Sequence, residues 1–311
     1  MWWILGAVTL LVFLSLLTAF ICFMRIFYLG KAKLCEEEFP LPRGKAYEPY
    51  YDEMVGWIKE VRKMKYTDVS VKSFDGLTLR GKYFEPFPGA PIEILFHGYR
   101  GSSERDLIGG VLRCRALGRN ALLVDQRAGG RSEGRVTTFG AKESRDCLSW
   151  VDLVINNINK DAKVILTGVS MGAATVMIAA SKDMPKNVVG VLADCGYSSA
   201  EDIIKKVMQD MRLPSALLMP FVRLGARLFG GFRIEDASPV DAMRNAKIPV
   251  IFIHGDSDDF GPHQMSVDCY NACVAKKQLV TVNGAGHGLA FPVNSEKYMS
   301  SLNDFFNPLL I

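Results

Sequence analysis

A serine, a histidine and an aspartate can together cleave an acyl bond, provided that the serine stands on a turn that leaves its hydroxyl free. Ser170 is the centre of Gly168-Val169-Ser170-Met171-Gly172, a G-x-S-x-G pentapeptide. The apolar run Val164 to Leu166 before it reads as a buried strand, and the small apolar residues from Ala173 to Ala180 read as a helix. A chain that passes at once from strand to helix holds its central residue in strained backbone geometry. The flanking residues are then glycine because a Cβ would collide with the crossing strand and helix. The turn sets the Ser170 hydroxyl above a helix N-terminus, whose free N–H groups and dipole favour a developing negative charge. The competing reading is a tight turn whose serine merely caps the helix.

The serine needs a base. Of the four histidines, His97 and His254 each end a strand directly before a glycine, and His263 starts a helix. His287 sits in Asn283-Gly284-Ala285-Gly286-His287-Gly288, a glycine-rich loop after the last strand that presents a side chain freely, and it is the expected base. The acid is expected in the loop His254-Gly255-Asp256-Ser257-Asp258-Asp259-Phe260-Gly261-Pro262. Asp258 is the choice, with Asp256 and Asp259 as neighbours that spacing does not exclude. Asp194, at the end of an earlier strand, is a further rival. An oxyanion hole needs two backbone N–H groups aimed at one point. Met171 supplies one at the helix start, and Tyr99, in the loop His97-Gly98-Tyr99-Arg100-Gly101-Ser102, supplies the other.

These residues need a framework to gather them. Strand-like alternation from Val69 to Phe84 is broken by Asp75-Gly76, a two-residue hairpin signal. Strands at Ile92 to Phe96, Ala121 to Val124, Val164 to Leu166, Val188 to Ala193, Val250 to Ile253 and Leu279 to Val282 then alternate with helices. The expected helices span Leu107 to Leu117, Lys142 to Ile158, Gln264 to Cys273 and Ser295 to Phe306. Such alternation predicts an α/β fold, a mainly parallel sheet with helices on both faces and an N-terminal antiparallel hairpin. With 311 residues, 49% of them hydrophobic, the chain suits one large domain plus an appendage.

The appendage is at the N-terminus. Trp2 to Met24 holds no charged side chain and spans about 35 Å as a helix, enough to cross a bilayer. It lacks the basic leader and small-residue cleavage site of a secretory signal, so a retained single-pass anchor over residues 1–30 is expected. Arg25, Lys31 and Lys33 follow the span and place the domain on the cytoplasmic side. Pro40, Pro42 and Pro49 mark a stiff linker over 31–50, and the domain is expected over 51–311, opened by an amphipathic helix carrying Met54, Ile58, Val61 and Met64. A helical cap is expected at about 199–236. Between Ile203 and Ile234 it carries six basic side chains, Lys205, Lys206, Arg212, Arg223, Arg227 and Arg233, against one acid, Asp210. That excess suggests attraction to an anionic leaflet, with the cap's Met, Leu and Phe side chains lining a route to Ser170. The plainer alternative is a lid over the site.

The seven cysteines are odd in number and scattered, which fits free thiols better than a disulfide framework. Cys269 and Cys273 lack the second pair that a zinc site needs, and no nucleic-acid motif accompanies the net charge of +4. No metal and no organic cofactor is expected, because nucleophile, base and oxyanion donors are all protein groups.

Taken together, the pentapeptide around Ser170, the His97-Gly98-Tyr99 loop, the run from His254 to Pro262 and Gly284-Ala285-Gly286-His287 resemble the α/β-hydrolase superfamily over residues 65–308. Asp125-Gln126-Arg127-Ala128-Gly129-Gly130-Arg131-Ser132 resembles that superfamily's D-x-R-G-x-G-x-S loop, a structural turn. The chain is similar to bacterial membrane-anchored hydrolases of the bud-emergence (BEM46-like) group. The resemblance implies Ser170 as nucleophile, Asp258 as acid, His287 as base, and Tyr99 and Met171 as oxyanion donors. Ala128 and Gly261 depart from the usual glycine and valine.

The implied activity is hydrolysis of a carboxylic ester with an acyl or aryl-acyl group, on a small-molecule or lipid-like substrate. A serine peptidase or amidase would use the same three residues, though peptidases of the prolyl-oligopeptidase kind carry a large propeller for which there is no room. A dehalogenase would place aspartate at position 170. A membrane-tethered binding protein that keeps the fold without catalysis is the non-enzyme alternative.

Overall fold

The computed structural model describes residues 1–30 and 37–310. Lys31 and Lys33 of the orientation argument, Cys35 and the first part of the expected linker lie outside the described residues.

Eight strands form one sheet: β1 (Thr67–Lys72), β2 (Thr78–Phe84), β3 (Ile92–Phe96), β4 (Asn120–Asp125), β5 (Val164–Val169), β6 (Val188–Asp194), β7 (Val250–Gly255) and β8 (Lys277–Val282). Their order is β1-β2-β4-β3-β5-β6-β7-β8. β1 and β2 pair antiparallel, β2 meets β4 antiparallel, and every later pairing is parallel. The central strands are apolar on both faces because helices cover both, as a parallel sheet requires. A few buried polar side chains interrupt this pattern, Glu93 in β3 among them, a fully buried carboxylate held by Arg113, Arg119 and Thr167.

The Asp75-Gly76 hairpin has a longer turn than the dipeptide predicts. The loop 73–77 is closed by Ser73, whose N–H donates to the Leu77 carbonyl at 2.9 Å and whose hydroxyl accepts the Leu77 N–H at 2.8 Å. That side-chain bond gives the backbone an alternative to the two-residue turn. The helix expected over 142–158 is α-helical only over Glu143–Leu153 and continues as a π-helical turn over Val154–Ile158.

Because β3, β5, β6, β7 and β8 run parallel and adjacent, the loops leaving their C-terminal ends all open on one side of the sheet. Above them, between β6 and β7, stand two cap helices, Ala200–Asp210 and Ser215–Leu228. The cap's charges are not unbalanced as the window from Ile203 to Ile234 suggests. Arg223 and Lys205 both pair with Glu201 at 2.6 Å, Lys206 pairs with Asp210 at 2.6 Å, and Glu235 approaches Arg223 and Arg233. The partners Glu201 and Glu235 sit just outside that window, so the surplus mostly dissolves into exposed ion pairs.

The N-terminal helix, Trp2–Ile26, is exposed along its first part and buried at its end. Ala19, Cys22 and Phe23 pack on the second cap helix. A Cβ on Gly225 of that helix would lie 2.4 Å from the Ala19 carbonyl oxygen, so glycine is what lets the two backbones approach. Phe27 is fully buried, edge-on to Phe139 at 5.6 Å and to Phe232 at 5.2 Å. Its carbonyl accepts the Thr137 N–H at 3.0 Å, and the Leu29 N–H donates to Arg135 at 2.8 Å. The six cysteines among the described residues are all free and buried.

Candidate active site

The turn between β5 and the helix Met171–Ala179 carries Ser170 at φ 56, ψ −116, a backbone state costly to an L-residue. Both flanking glycines are sterically required. A Cβ on Gly168 would come within 2.1 Å of Gly172, and one on Gly172 within 2.0 Å of the Phe96 carbonyl oxygen. The Ser170 N–H is held by the Asp194 carbonyl at 2.9 Å, which ties the turn to the end of β6.

Ser170 Oγ lies 2.9 Å from His287 Nε2, and His287 Nδ1 lies 2.6 Å from Asp258 Oδ2. The carboxylate accepts from Nδ1, which leaves Nε2 free to accept the serine proton. Asp258 Oδ1 accepts the backbone N–H groups of Phe260 at 3.0 Å and Gly261 at 2.8 Å. Burial pushes the Asp258 carboxyl up, but hydrogen bonds from His254, His287 and the Gly261 N–H outweigh it and hold the group well below the usual carboxylate range.

The rival acids are occupied elsewhere. Asp194 is buried, accepts the Tyr298 hydroxyl at 2.7 Å and makes no hydrogen bond to His287; burial raises its carboxyl. Asp256 accepts the Gly284 N–H at 2.7 Å and so pins the histidine loop to the acid loop. The Asp259 backbone carbonyl accepts from the Lys206 ammonium, and among the described residues the carboxylate bonded to His287 is that of Asp258.

His254 is where the sequence reading falls short. It is fully buried, and its Nε2 lies 3.0 Å from Asp258 Oδ2 and 2.8 Å from the Gly261 carbonyl. Both partners are acceptors, so Nε2 carries the proton. Nδ1 meets the Ser266 hydroxyl at 2.7 Å. His97 also has a task beyond packing: its Nε2 accepts the Gln126 N–H at 3.0 Å while its Nδ1 donates to Gly98 at 2.8 Å, fixing the loop that carries Tyr99. Gln126 closes this network by accepting from Thr175 of the serine helix at 3.0 Å. His263 bonds Thr281 and stands apart.

Gly98 brings the Tyr99 loop against the serine; a Cβ there would lie 3.5 Å from Ser170 Cβ. Among the described residues, neither the Tyr99 nor the Met171 backbone N–H has a protein acceptor. The Tyr99 hydroxyl donates to the Ile26 carbonyl at 2.7 Å, and Arg100 donates to the Arg25 carbonyl at 2.8 Å. The end of the N-terminal helix is thus bonded to the loop beside the serine. Ala128 takes the left-handed φ of 61 that a glycine would adopt without strain. At Gly261 a Cβ would lie 3.4 Å from His287, in contact with the imidazole.

Two cavities meet at Ser170. One, of about 780 Å³, lies under the cap and against the N-terminal helix, lined chiefly by apolar side chains such as Ile21, Met24, Ile203, Val207, Met208 and Leu218. The other, of about 390 Å³, is lined by His287, Tyr47, Arg43, Arg105, Asp106 and Ser257. No group of three His, Cys, Asp or Glu side chains among the described residues is arranged to hold a metal ion. The arrangement has the parts for nucleophilic acyl transfer: a hydroxyl bonded to an oriented imidazole and two free N–H groups, that of Met171 at a helix start and that of Tyr99 in the loop after β3.

Residues 94–218 match the family profile described as alpha/beta hydrolase fold. The protein YqkD of Bacillus subtilis is 29% identical over 192 residues, 61% of this chain and 63% of its own length. The chain therefore spans less than two thirds of that relative. Protein bem46 of Schizosaccharomyces pombe is 23% identical over 220 residues, 69% of this chain and 68% of its own. The Pyrococcus furiosus esterase Pf2001 superposes with a TM-score of 0.66 at 23% identity, covering 81% of this chain and 96% of that one.

Proposed function

The chain is an α/β-hydrolase of Bem46-like kind, and from that premise we propose that it is a serine hydrolase that cleaves carboxylic esters through a covalent acyl-enzyme. The observation that carries the reading is the hydrogen-bonded series from Ser170 through His287 to Asp258, opening into an apolar cavity. Ser170 Oγ attacks the ester carbonyl carbon while His287 Nε2 takes its proton. The Tyr99 and Met171 N–H groups hold the oxyanion. Collapse breaks the bond to the alcohol oxygen, which receives the proton from Nε2. Water then attacks the acyl carbon, gives a proton to His287, and the acid leaves as that proton returns to Ser170. The esterase named among the similar structures agrees with ester chemistry.

The test is pre-steady-state hydrolysis of p-nitrophenyl acetate by the full-length protein. The reading expects a burst of p-nitrophenol of about one equivalent when deacylation is slow, and loss of turnover by about 10³-fold or more in Ser170→Ala. Undiminished turnover in that variant overturns it.

Membrane anchoring belongs to the same reading. The helix Trp2–Ile26 is long and apolar enough to span a bilayer. Cleavage after it, as in a secretory signal, would strip the cap of Ala19, Cys22 and Phe23, residues now buried against it. We infer a retained single-pass anchor, and the basic residues after the span in the sequence favour a domain on the cytoplasmic side. Intact-mass measurement of protein purified from membranes tests retention; a mature chain that begins beyond Ile26 contradicts it.

A further inference from the structure

Two cavities flank Ser170, and the chemistry of His287 says which part of an ester each must hold. The imidazole hands its proton to the leaving alcohol, so the alcohol must lie on the side lined by His287. That is the cavity of about 390 Å³ with Tyr47, Arg43, Arg105 and Asp106 in its wall. The acyl group then takes the other, of about 780 Å³, which His287 does not line. This volume lies in the range of ordinary ligand sites, roughly 300–1,000 Å³, and suits a long apolar chain.

The position of the larger cavity decides where such a chain comes from. One wall is the N-terminal helix itself, through Ile21, Met24 and Ile26. Ile21 and Met24 are also partly exposed, at 51% and 37%, so the cavity opens beside the helix. The stretch from Trp2 to Thr18, ahead of the first fully buried residue Ala19, is about 25 Å long at about 1.5 Å per residue. That falls short of a hydrocarbon core of about 30 Å. The opening at Ile21 and Met24 is therefore drawn to the level of the membrane interface. Met211, which lines the cavity, is 65% exposed, and the exposed Phe229 of the cap lies against Phe20 of the helix at 5.2 Å.

We propose that the last turns of the membrane helix are part of the acyl-binding site, and that the substrate is an ester of a long apolar acyl chain with a polar alcohol, drawn from the leaflet in which the helix sits. This rests on the serine-hydrolase reading above. The membrane helix then has two tasks: it anchors the protein and it walls the pocket, with its terminal carbonyls bonded to Tyr99 and Arg100 beside the serine.

The test uses the full chain in phospholipid nanodiscs, with p-nitrophenyl laurate and p-nitrophenyl acetate as probes and a fluorophosphonate as active-site label. Ile21→Trp and Val207→Trp fill the cavity, one from the N-terminal helix and one from the first cap helix. Leu11→Trp, on the exposed part of the helix outside the cavity, controls for the added indole. The laurate-to-acetate ratio of kcat/KM is expected to fall tenfold or more in both cavity variants and to hold in Leu11→Trp. Unchanged ratios in Ile21→Trp and Val207→Trp, with fluorophosphonate labelling at the wild-type rate, overturn the inference and leave the hydrolase reading standing. The assignment is also overturned if filling the cavity alters discrimination between methyl and glyceryl laurate while acyl preference stays fixed. Failure of the unaltered protein to label overturns the hydrolase reading, and this inference with it.

Discussion

His254 and His287 share one oxygen of Asp258: Oδ2 lies 3.0 Å from His254 Nε2 and 2.6 Å from His287 Nδ1. The shorter bond faces the serine and the longer one faces the interior. Asp258 is thereby held from behind by a buried imidazole and from the side by two backbone N–H groups at Oδ1. A carboxylate held in this way has little freedom to rotate away from His287.

This geometry makes a positioning role for His254 the expectation to test. A hydrogen bond to a charged group is worth about 1.5–3 kcal/mol, which corresponds to about 10- to 100-fold in rate if it is felt in the transition state. His254→Leu is expected to lower kcat by that factor with KM little changed. His254→Gln, which can place an amide N–H near Nε2, is expected to recover most of the loss. Equal damage from both variants, with KM rising in step, would mark His254 as a packing residue.

The two candidate acids separate cleanly by substitution. Asp258→Asn should lower kcat by about 10⁴-fold, because the amide neither stabilises the imidazolium nor keeps its tautomer. Asp194→Asn retains the acceptor for the Tyr298 hydroxyl and should cost far less. Steady-state kinetics of the two variants decide it; a crippled Asp194→Asn beside an active Asp258→Asn would move the acid to β6.

Sequence alone makes the serine turn legible because its requirements are local: two glycines, a strand before and a helix after. The sheet is legible for a similar reason, since periodicity reports which faces are covered. His254 is not legible as a positioning residue. Its role depends on a loop folding back so that Asp258, four residues on, and Gly261, seven residues on, meet one ring, and a histidine before a glycine at a strand end gives no sign of that. The ion pairs of the cap are hidden for a different reason: Glu201 and Glu235 lie outside the stretch where the basic residues gather. Nor does the apolar pattern of Trp2 to Met24 show that its last turns face protein. Ala19 and Gly225 meet across more than two hundred positions of chain, and small residues in a membrane helix look alike whether they face lipid or protein.

Glu93 carries a stability prediction with a definite pH sense. Burial pushes its carboxyl up, but Arg113 and Arg119 outweigh this and bring it from the usual 4.5 down to about 2. A group lowered on folding stabilises fully above its unfolded value, and the contribution is lost as pH falls from about 4.5 towards about 2. Glu93→Gln leaves two buried guanidinium groups without their carboxylate, a loss of about 3–5 kcal/mol at neutral pH. Urea denaturation at pH 7 and pH 3 should show a large gap between wild type and variant at the first and a smaller one at the second. A gap that widens at pH 3 would contradict the assignment.

Phe27 tests whether the end of the N-terminal helix belongs to the folded domain. Removing a fully buried phenyl ring that touches Phe139 and Phe232 costs about 3–5 kcal/mol. Phe27→Ala should lower the urea midpoint of the detergent-solubilised full chain accordingly. A midpoint shift equivalent to less than about 0.5 kcal/mol, as expected of an ordinary surface substitution, would separate the helix from the domain.

The central claim is that Ser170 is the nucleophile, and the most direct measurement is the site of a covalent adduct. Full-length protein treated with a fluorophosphonate is digested, and the modified peptide is identified by mass spectrometry. The account predicts one adduct, on Ser170, absent from Ser170→Ala and slowed by orders of magnitude in a His287→Ala variant that still folds. An adduct that persists in Ser170→Ala, or no adduct on a folded wild-type chain, contradicts it.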